Sequence, residues 1–212
     1  MLHVSGACRR FGALTVFSDV GFDVLPGEAC ALVGSNGSGK STLLRCIVGA
    51  DRLEYGTITF GLEPSGAEPV DESAPRFRAA VASVLDDHAV FPHLSVREHL
   101  ELIASAHGVH HSSSAAGTVL DAIGLTGAAD QLPGTLSSGQ QRRLALGSAF
   151  VRPRSIVVLD EPEQHLDAKG RRWLADTLVA EKAAGVSVVL ASHDEDLVAE
   201  VADQRIDADA WR

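Results

Sequence analysis

The chain has 212 residues, 45% of them apolar, and a formal net charge of −10. This size allows one substantial core, or a core with a smaller satellite, and excludes several full domains. The negative charge argues against a broad nucleic-acid-binding surface, which needs clustered Lys and Arg. No apolar run reaches the roughly 18 residues that span a bilayer, and the N-terminus lacks a signal-peptide pattern. We expect a globular cytoplasmic protein that does not bind nucleic acid.

Short apolar segments alternate with turns in the first third of the chain, which predicts a mixed β region. The predicted strands are Leu2–Cys8, Val16–Leu25, Glu28–Val33 and Gly56–Phe60. Residues 61–75 are rich in Gly, Pro, Glu and Ser and show no periodicity. That composition predicts a surface loop.

A glycine-rich segment lies between the third predicted strand and a predicted helix over Ser41–Val48: Gly34-Ser35-Asn36-Gly37-Ser38-Gly39-Lys40-Ser41. This order, in which a strand is followed by a glycine-rich turn, a lysine and a hydroxyl residue, predicts a cradle for nucleotide phosphates. The glycines allow successive backbone N–H groups to point at phosphate oxygens, and the helix N-terminus adds partial positive charge. We expect Lys40 to reach the β- and γ-phosphates, Ser41 to hold Mg²⁺, and Thr42 to contribute to ATP binding.

Helical spacing dominates the middle of the chain. The predicted helices are Val96–Val109, Ala115–Ile123 and Ser137–Phe150. Two unbroken apolar strands follow, Ile156–Leu159 and Val186–Ala191, separated by a helix with Trp173, Leu174, Leu178 and Val179. Apolar runs with helices between them predict a parallel sheet that is buried on both faces.

The cysteines and a group of histidines do not predict a metal site. The three cysteines are an odd number at wide spacing, and are expected to be reduced core thiols: Cys8, Cys30 and Cys46. Three histidines lie near Gly108 and a serine run: His107, His110 and His111. Because such a segment lacks defined ligand geometry, we expect a solvated loop.

A second motif, Leu136-Ser137-Ser138-Gly139-Gln140-Gln141-Arg142-Arg143, resembles the signature loop of the ATP-binding cassette family, with Ser138 where glycine is commoner. Three further segments follow in the family's order. Ile156–Pro162 resembles Walker B, Leu166-Asp167 the D-loop, and Ser192–Asp194 the switch histidine segment. The resemblance covers essentially the whole chain.

The resemblance implies that residues 1–212 form a single domain, and that its fold belongs to the α/β class. It has a P-loop NTPase core with a mixed or parallel sheet, an N-terminal antiparallel β region, and a small helical subdomain that carries the signature loop. The core would be formed by residues 1–85 and 151–212, and the helical subdomain by about 86–150.

The resemblance also implies a subunit that pairs with a second copy or with a paralogue and sandwiches two ATP molecules. Each ATP would lie between one phosphate loop and the partner's signature loop. The signature residues would thus act in trans: Ser137, Ser138, Gly139 and Gln140. Ser137 by itself is also compatible with an ordinary helix N-cap. Phe11 is the candidate for stacking on adenine, with Phe17 as its competitor.

Phosphoryl transfer from ATP needs charge neutralisation and an oriented water more than covalent help from the protein. Asp160 is predicted to bind Mg²⁺, because open α/β sheets bind ligands at the carboxyl ends of their strands. Glu161 is the predicted general base. His193, after the next apolar strand, is predicted to contact the γ-phosphate and hold the attacking water.

Two segments depart from the family pattern. Asp86 stands where the family carries a glutamine, when the chain is aligned by Phe91-Pro92. A charged, shorter oxygen would bind the cation more strongly and repel the γ-phosphate, so we expect tighter metal dependence. Asp87, or no residue, is the alternative. Between Walker B and the D-loop, three residues replace small ones that are common in the family: Glu163, Gln164 and His165. Their sequence positions suggest only an influence on the dimer contact.

The leading hypothesis is the energy-coupling ATPase of a membrane transporter, peripheral on the cytoplasmic face through separate transmembrane permease subunits. ATP would close a homodimer or heterodimer, and hydrolysis would reopen it. A soluble cassette ATPase of DNA repair, translation or cofactor assembly is the alternative; the short helical insertion, the negative charge and the lack of zinc-type cysteine pairs weigh against it. The chain's end soon after His193 resembles compact exporter cassettes, while cargo and direction stay open.

Overall fold

Four strands pair into an antiparallel sheet at the N-terminal side of the protein. The computed structural model describes residues 1–61, 66–85 and 90–211. The strands are β1 (Leu2–Phe11), β2 (Leu14–Val24), β4 (Tyr55–Phe60) and β5 (Glu68–Pro69), in the order β2-β1-β4-β5. β5 interrupts the predicted loop over 61–75. It forms by pairing with β4, a contact that a sequence without periodicity does not reveal.

A second sheet is parallel throughout. Its strands are β3 (Ala29–Val33), β6 (Val81–Val84), β7 (Ile156–Asp160), β8 (Ser187–Ala191) and β9 (Gln204–Asp207), in the order β6-β7-β8-β3-β9. Side chains alternate across it: Val158 of β7 belongs to the core on one face, whereas Val157 and Leu159 belong to the core on the other. Burial on both faces explains the unbroken apolar runs.

Seven α-helices lie in the described part of the chain: α1 (Lys40–Ile47), α2 (Pro75–Ala80), α3 (Val96–Ala106), α4 (Ser112–Ala122), α5 (Ser138–Phe150), α6 (Ala168–Ala183) and α7 (Glu195–Val201). Short 3-10 turns cover Thr126–Ala128, Pro133–Thr135 and Ala208–Trp211. The sequence did not predict α2, β6, α7 or β9, because elements of four to seven residues show too little periodicity.

Three apolar clusters hold these layers together. One lies around α1 between the two sheets and includes Phe17 and Trp211. Another covers the opposite face of the parallel sheet beneath α6 and α7. A third lies among α3, α4 and α5. Helix α5 contributes Leu146 to the second cluster and Leu144 to the third, so it joins the helices to the parallel sheet.

The predicted α/β class with an antiparallel N-terminal region is confirmed. The division into a core and a helical subdomain over about 86–150 stays a prediction. The three cysteines are buried free thiols, and burial raises the pKa of Cys30 to about 12. His110 and His111 are exposed, whereas His107 is half-buried where α3 ends, and burial lowers its pKa.

Candidate nucleotide-binding and catalytic site

The glycine-rich segment connects β3 to α1 through backbone conformations that favour glycine. Gly34, Gly37 and Gly39 have φ values of 132°, 79° and 108°. The Lys40 ammonium folds back over this turn and donates to the carbonyls of Gly34 at 2.7 Å and Ser35 at 2.9 Å. Lys40 is only 5% exposed. The charge is therefore held inside the loop, where an anionic ligand could replace the carbonyls.

Gly39 also permits a close approach to the antiparallel sheet. A Cβ built at this position would lie 2.9 Å from Val16 Cγ1 of β2. With its φ of 108°, this leaves no room for a larger residue. The loop is consequently pressed against β2, and Val16 lines the same cavity as the loop.

A contact that the sequence did not predict fastens the loop to the C-terminal turn. Ser35 donates from its backbone N–H to Asp209 Oδ2 at 2.9 Å and from its hydroxyl to Oδ1 at 2.5 Å. Gly34 packs on the same turn, since a Cβ there would lie 3.2 Å from the backbone nitrogen of Asp209. The pair is 174 residues apart in sequence, and no local pattern links its members.

A cavity of about 360 Å³ joins the phosphate loop to Walker B, lined by Val16, Asn36, Gly37, Gly39, Lys40, Ser41, Thr42 and Glu161. The Ser38 hydroxyl is buried and has no hydrogen-bond partner among the described residues. A buried polar atom of this kind needs a partner, and a phosphate oxygen would supply one. The donors therefore fit a nucleotide phosphate, while the Ser41 hydroxyl and Asp160 carboxylate are oxygen ligands of the type Mg²⁺ takes.

Glu161 enters the cavity because the chain turns sharply after β7. Asp160, the last residue of β7, is 2% exposed. Glu161 has a φ of 44°, and its N–H donates to the carbonyl of Ala191 in β8 at 2.8 Å. Such a left-handed conformation is unusual for a residue with a side chain and is found at functional sites.

His193 follows β8 and faces Glu161. Its Nε2 lies 3.5 Å from Glu161 Oε1, and the side-chain amide of Gln164 donates to the other Glu161 oxygen. On the backbone side, Glu163 Oε1 accepts from the Ser192 hydroxyl at 2.7 Å and from the His193 N–H at 3.1 Å. Residues 161–164 and the segment after β8 thus form one hydrogen-bonded unit.

The signature segment begins helix α5. Ser137 Oγ accepts from the Gln140 N–H at 3.3 Å, and Gln140 Oε1 accepts from the Ser137 N–H at 2.9 Å. This is a capping box, so the helix-cap role considered for Ser137 is present. Ser138 is exposed at the helix start. A Cβ at Gly139 would lie only 2.8 Å from the carbonyl oxygen of His165, which accounts for glycine there.

Arg142, one turn further along α5, binds the end of Walker B. It is 6% exposed, and its guanidinium donates to three consecutive backbone carbonyls, at 2.5, 2.7 and 3.3 Å: those of Asp160, Glu161 and Pro162. The rigid fork of an arginine suits several acceptors at once. The sequence placed Arg142 in the signature segment but assigned it no role, because its burial and its carbonyl partners depend on the tertiary structure.

The D-loop aspartate, Asp167, caps helix α6. Its Oδ1 accepts from the Gly170 N–H at 2.8 Å and from Arg143 Nη2 at 2.5 Å. These contacts hold the pKa of Asp167 below its ordinary value, chiefly through the Gly170 N–H and then through the charge of Arg143. Helix α5 is therefore tied to both ends of the segment 161–167.

The two aromatic candidates for adenine stacking differ in burial. Phe17 is fully buried and packs edge-on against Trp211, with ring centroids 6.0 Å apart. It has no face available to a base. Phe11, at the end of β1, is 52% exposed, and the Arg9 guanidinium lies 4.4 Å from its ring centroid. Of these two aromatic residues, only Phe11 has a ring face that a base could stack on.

The two candidates for the position of the family's glutamine, Asp86 and Asp87, lie outside the described residues.

The chain matches the family model described as ABC transporter over residues 17–164. It belongs to the ABC transporter family. The chain is 37% identical over 207 residues to the aliphatic sulfonates import ATP-binding protein SsuB 3 of Nocardia farcinica, covering 97% of this chain and 75% of that protein.

Another relative of this cassette is the sulfate/thiosulfate import ATP-binding protein CysA 2 of Chromobacterium violaceum, 34% identical over 218 residues. That match covers 100% of the chain but 57% of the relative, so the cassette spans little more than half of that protein's length. A solved structure of an ATP-binding subunit of an ABC transporter superposes with a TM-score of 0.87 at 25% identity, over 98% of this chain and 85% of the other. Among the described residues, none of the helices combines the length and the apolar content that a membrane span requires.

Proposed function

We propose that this chain is the ATP-binding and hydrolysing subunit of an ABC transporter. The observation that carries the proposal is the shared cavity, in which Lys40, Ser41 and Glu161 meet while Glu161 lies 3.5 Å from His193. A phosphate cradle and a paired carboxylate and imidazole together suit the attack of water on a terminal phosphate. Family membership and the names of the relatives support the same activity.

Each side chain has a defined task in this proposal. Lys40 and the loop N–H groups hold the phosphates. Ser41 and Asp160 would hold Mg²⁺, which would supply charge neutralisation at the phosphate oxygens. Glu161 accepts a proton from the attacking water, and His193 orients that water against the γ-phosphate. Phe11 stacks on the adenine ring.

Coupling to transport requires partners. We propose that two cassettes close around ATP, with Ser137, Ser138, Gly139 and Gln140 completing the site of the partner, and reopen after hydrolysis. Separate permease subunits would hold the dimer at the cytoplasmic face of the membrane. Because the two relatives described above are import ATP-binding proteins, we propose that this subunit powers import.

The Glu161→Gln variant tests the activity. The amide cannot take up the proton, so turnover should fall about 10²–10⁴-fold, whereas ATP affinity should stay within about twofold. The matched control is Glu181→Gln, which changes a carboxylate bound to Arg154 outside the cavity and should hydrolyse ATP at the parental rate. Parental turnover in the Glu161 variant would contradict the assignment.

Partner capture tests the transport reading. The ATP-trapped Glu161→Gln variant, purified from detergent-solubilised native cells in ATP and Mg²⁺, should bring a polytopic membrane protein identified by mass spectrometry. Recovery of only ribosomal, DNA-associated or soluble assembly proteins would contradict transport and support the soluble alternative.

A further inference from the structure

Glu163 lies two residues after Glu161, in the segment between β7 and helix α6. Its carboxylate reaches from the end of β7 to the end of β8. There, Oε1 accepts both the Ser192 hydroxyl at 2.7 Å and the His193 N–H at 3.1 Å. A single carboxylate oxygen therefore anchors the backbone from which the His193 side chain projects.

The His193 side chain has little packing to hold it in place. It is 43% exposed, and its ring contact with Glu161 spans 3.5 Å. In contrast, Ser192 is 2% exposed, and its hydroxyl both donates to Glu163 and accepts from the Asp194 N–H at 3.0 Å. The backbone anchor is thus the main restraint on where the imidazole lies.

We propose that Glu163 is a positioning residue that holds His193 against Glu161 through the Ser192 hydroxyl and the His193 N–H. This inference rests on the proposed function, and Glu163 itself touches no reacting atom. Hydrogen bonds to a charged acceptor are about twice as strong as neutral ones, so two of them give a firm anchor. A displacement of about 1 Å in a group that orients water can lower the rate about 10²-fold.

The surroundings of the second carboxylate oxygen of Glu163, Oε2, indicate which substitution should preserve the anchor. Oε2 is buried and has no hydrogen-bond partner among the described residues. Glutamine keeps a carbonyl oxygen that can accept both donors, and places its amide nitrogen where the partnerless oxygen lies. Alanine removes the acceptor altogether. Glutamine should therefore substitute for Glu163, and alanine should not.

Steady-state ATP hydrolysis by the full chain tests the proposal. In Glu163→Ala, kcat should fall about 10–100-fold while KM for ATP stays within about threefold, because the phosphate loop is untouched. Glu163→Gln should recover at least about a third of the parental kcat. Glu181→Ala, which removes another half-buried carboxylate, should keep the parental kcat. Equal kcat values for Glu163→Ala and the parent, or equal losses in the alanine and glutamine variants, would overturn the proposal.

Amide hydrogen exchange in the nucleotide-free protein measures the hydrogen bond between Glu163 and the His193 N–H directly. The His193 N–H should exchange about tenfold faster or more in Glu163→Ala, and at the parental rate in Glu181→Ala. Unchanged exchange of this N–H in Glu163→Ala would overturn the proposal whatever the ATPase result. A parental chain that hydrolyses no ATP would contradict the proposed function instead, so the two failures are distinguishable.

Discussion

Residues 34–41 and the segment 161–167 both contribute to one cavity, the second through Glu161 alone, yet they hold their shapes by different means. The phosphate loop depends on its own backbone, with three glycines at positive φ and a lysine folded onto two loop carbonyls. The segment 161–167 contains no glycine and is held by side chains: Arg142, Arg143, Glu163 and Gln164. The first region depends mainly on its own contiguous residues, with one long-range bond from Ser35 to Asp209, whereas the second depends mainly on side chains from other elements.

This difference has a functional consequence. A loop shaped mainly by its own glycines presents N–H groups to a phosphate without any contact from helix α5. A segment held by helix α5 keeps its shape only while α5 stays in place. We therefore expect changes in the first region to impair ATP binding, and changes in the second to impair turnover with binding retained.

The largest effect on stability and ATP binding should come from a substitution that disturbs the backbone conformation of the phosphate loop. Gly39→Ala combines a φ of 108° with a Cβ only 2.9 Å from Val16 Cγ1. Strain and overpacking together should lower the free energy of unfolding by about 2–5 kcal/mol and weaken ATP binding. Denaturant unfolding and titration with a fluorescent ATP analogue measure both.

Gly37→Ala is the matched control for this prediction. Gly37 has a positive φ of 79°, but a Cβ there would meet nothing within 4 Å. Strain alone should cost about 1–2 kcal/mol. If both alanine variants lost the same stability, contact with Val16 would play no part in shaping the loop.

Removal of the Arg142 hydrogen bonds to the second region should have an intermediate effect on stability and turnover. Arg142→Met leaves three carbonyls at the end of β7 without their guanidinium donor, which should cost about 1–3 kcal/mol. kcat should fall, whereas the dissociation constant for ATP should stay within about threefold because the phosphate loop is unchanged. Isothermal titration and steady-state kinetics separate the two quantities.

Arg154→Met is the control for Arg142. Its guanidinium also donates to backbone carbonyls, at Phe150 and Arg152, but away from the segment 161–167. It should lose stability and keep the parental kcat. A parallel fall of ATP affinity and kcat in Arg142→Met would show that the two regions are not separable.

The smallest effect should come from the cap at Asp167, and it should depend on pH. Because folding holds the pKa of this carboxyl below the ordinary 3.8, its contribution to stability is complete above that value and is lost as pH falls through the lower, folded-state pKa. Asp167→Ala should lower the melting temperature at pH 7, and the difference from the parent should shrink as the pH falls below about 3.8.

Asp176→Ala provides the comparison on the same helix, since Asp176 pairs with Arg172 on the surface of α6 and caps nothing. Melting curves from pH 7 to pH 3 measure both variants. A difference for Asp167→Ala that stayed constant across this range would show that the charge of Asp167 does not stabilise the helix.

The glycine-rich turn after β3, the strand before Asp160, the helix over the signature segment and the α/β class could all be predicted from the sequence. Each of these features depends on contiguous residues. The spacing of glycines determines where the backbone can adopt unusual conformations, and the periodicity of apolar residues distinguishes a helix from a strand. The prediction of helix Ser137–Phe150 against the observed Ser138–Phe150 illustrates how closely a long periodic segment can be placed. Phe11 and Phe17 could not be separated in this way, because their burial depends on what packs over them.

The contacts that hold the candidate catalytic side chains in place can be found only in the folded chain. The bond of Asp209 to Ser35 and that of Glu163 to the turn after β8 join residues that no periodicity connects. They meet because the strand order β6-β7-β8-β3-β9 brings the carboxyl ends of β3, β7, β8 and β9 to one edge of the sheet. The role that we propose for Glu163 rests on that juxtaposition, because its sequence position alone assigned it none.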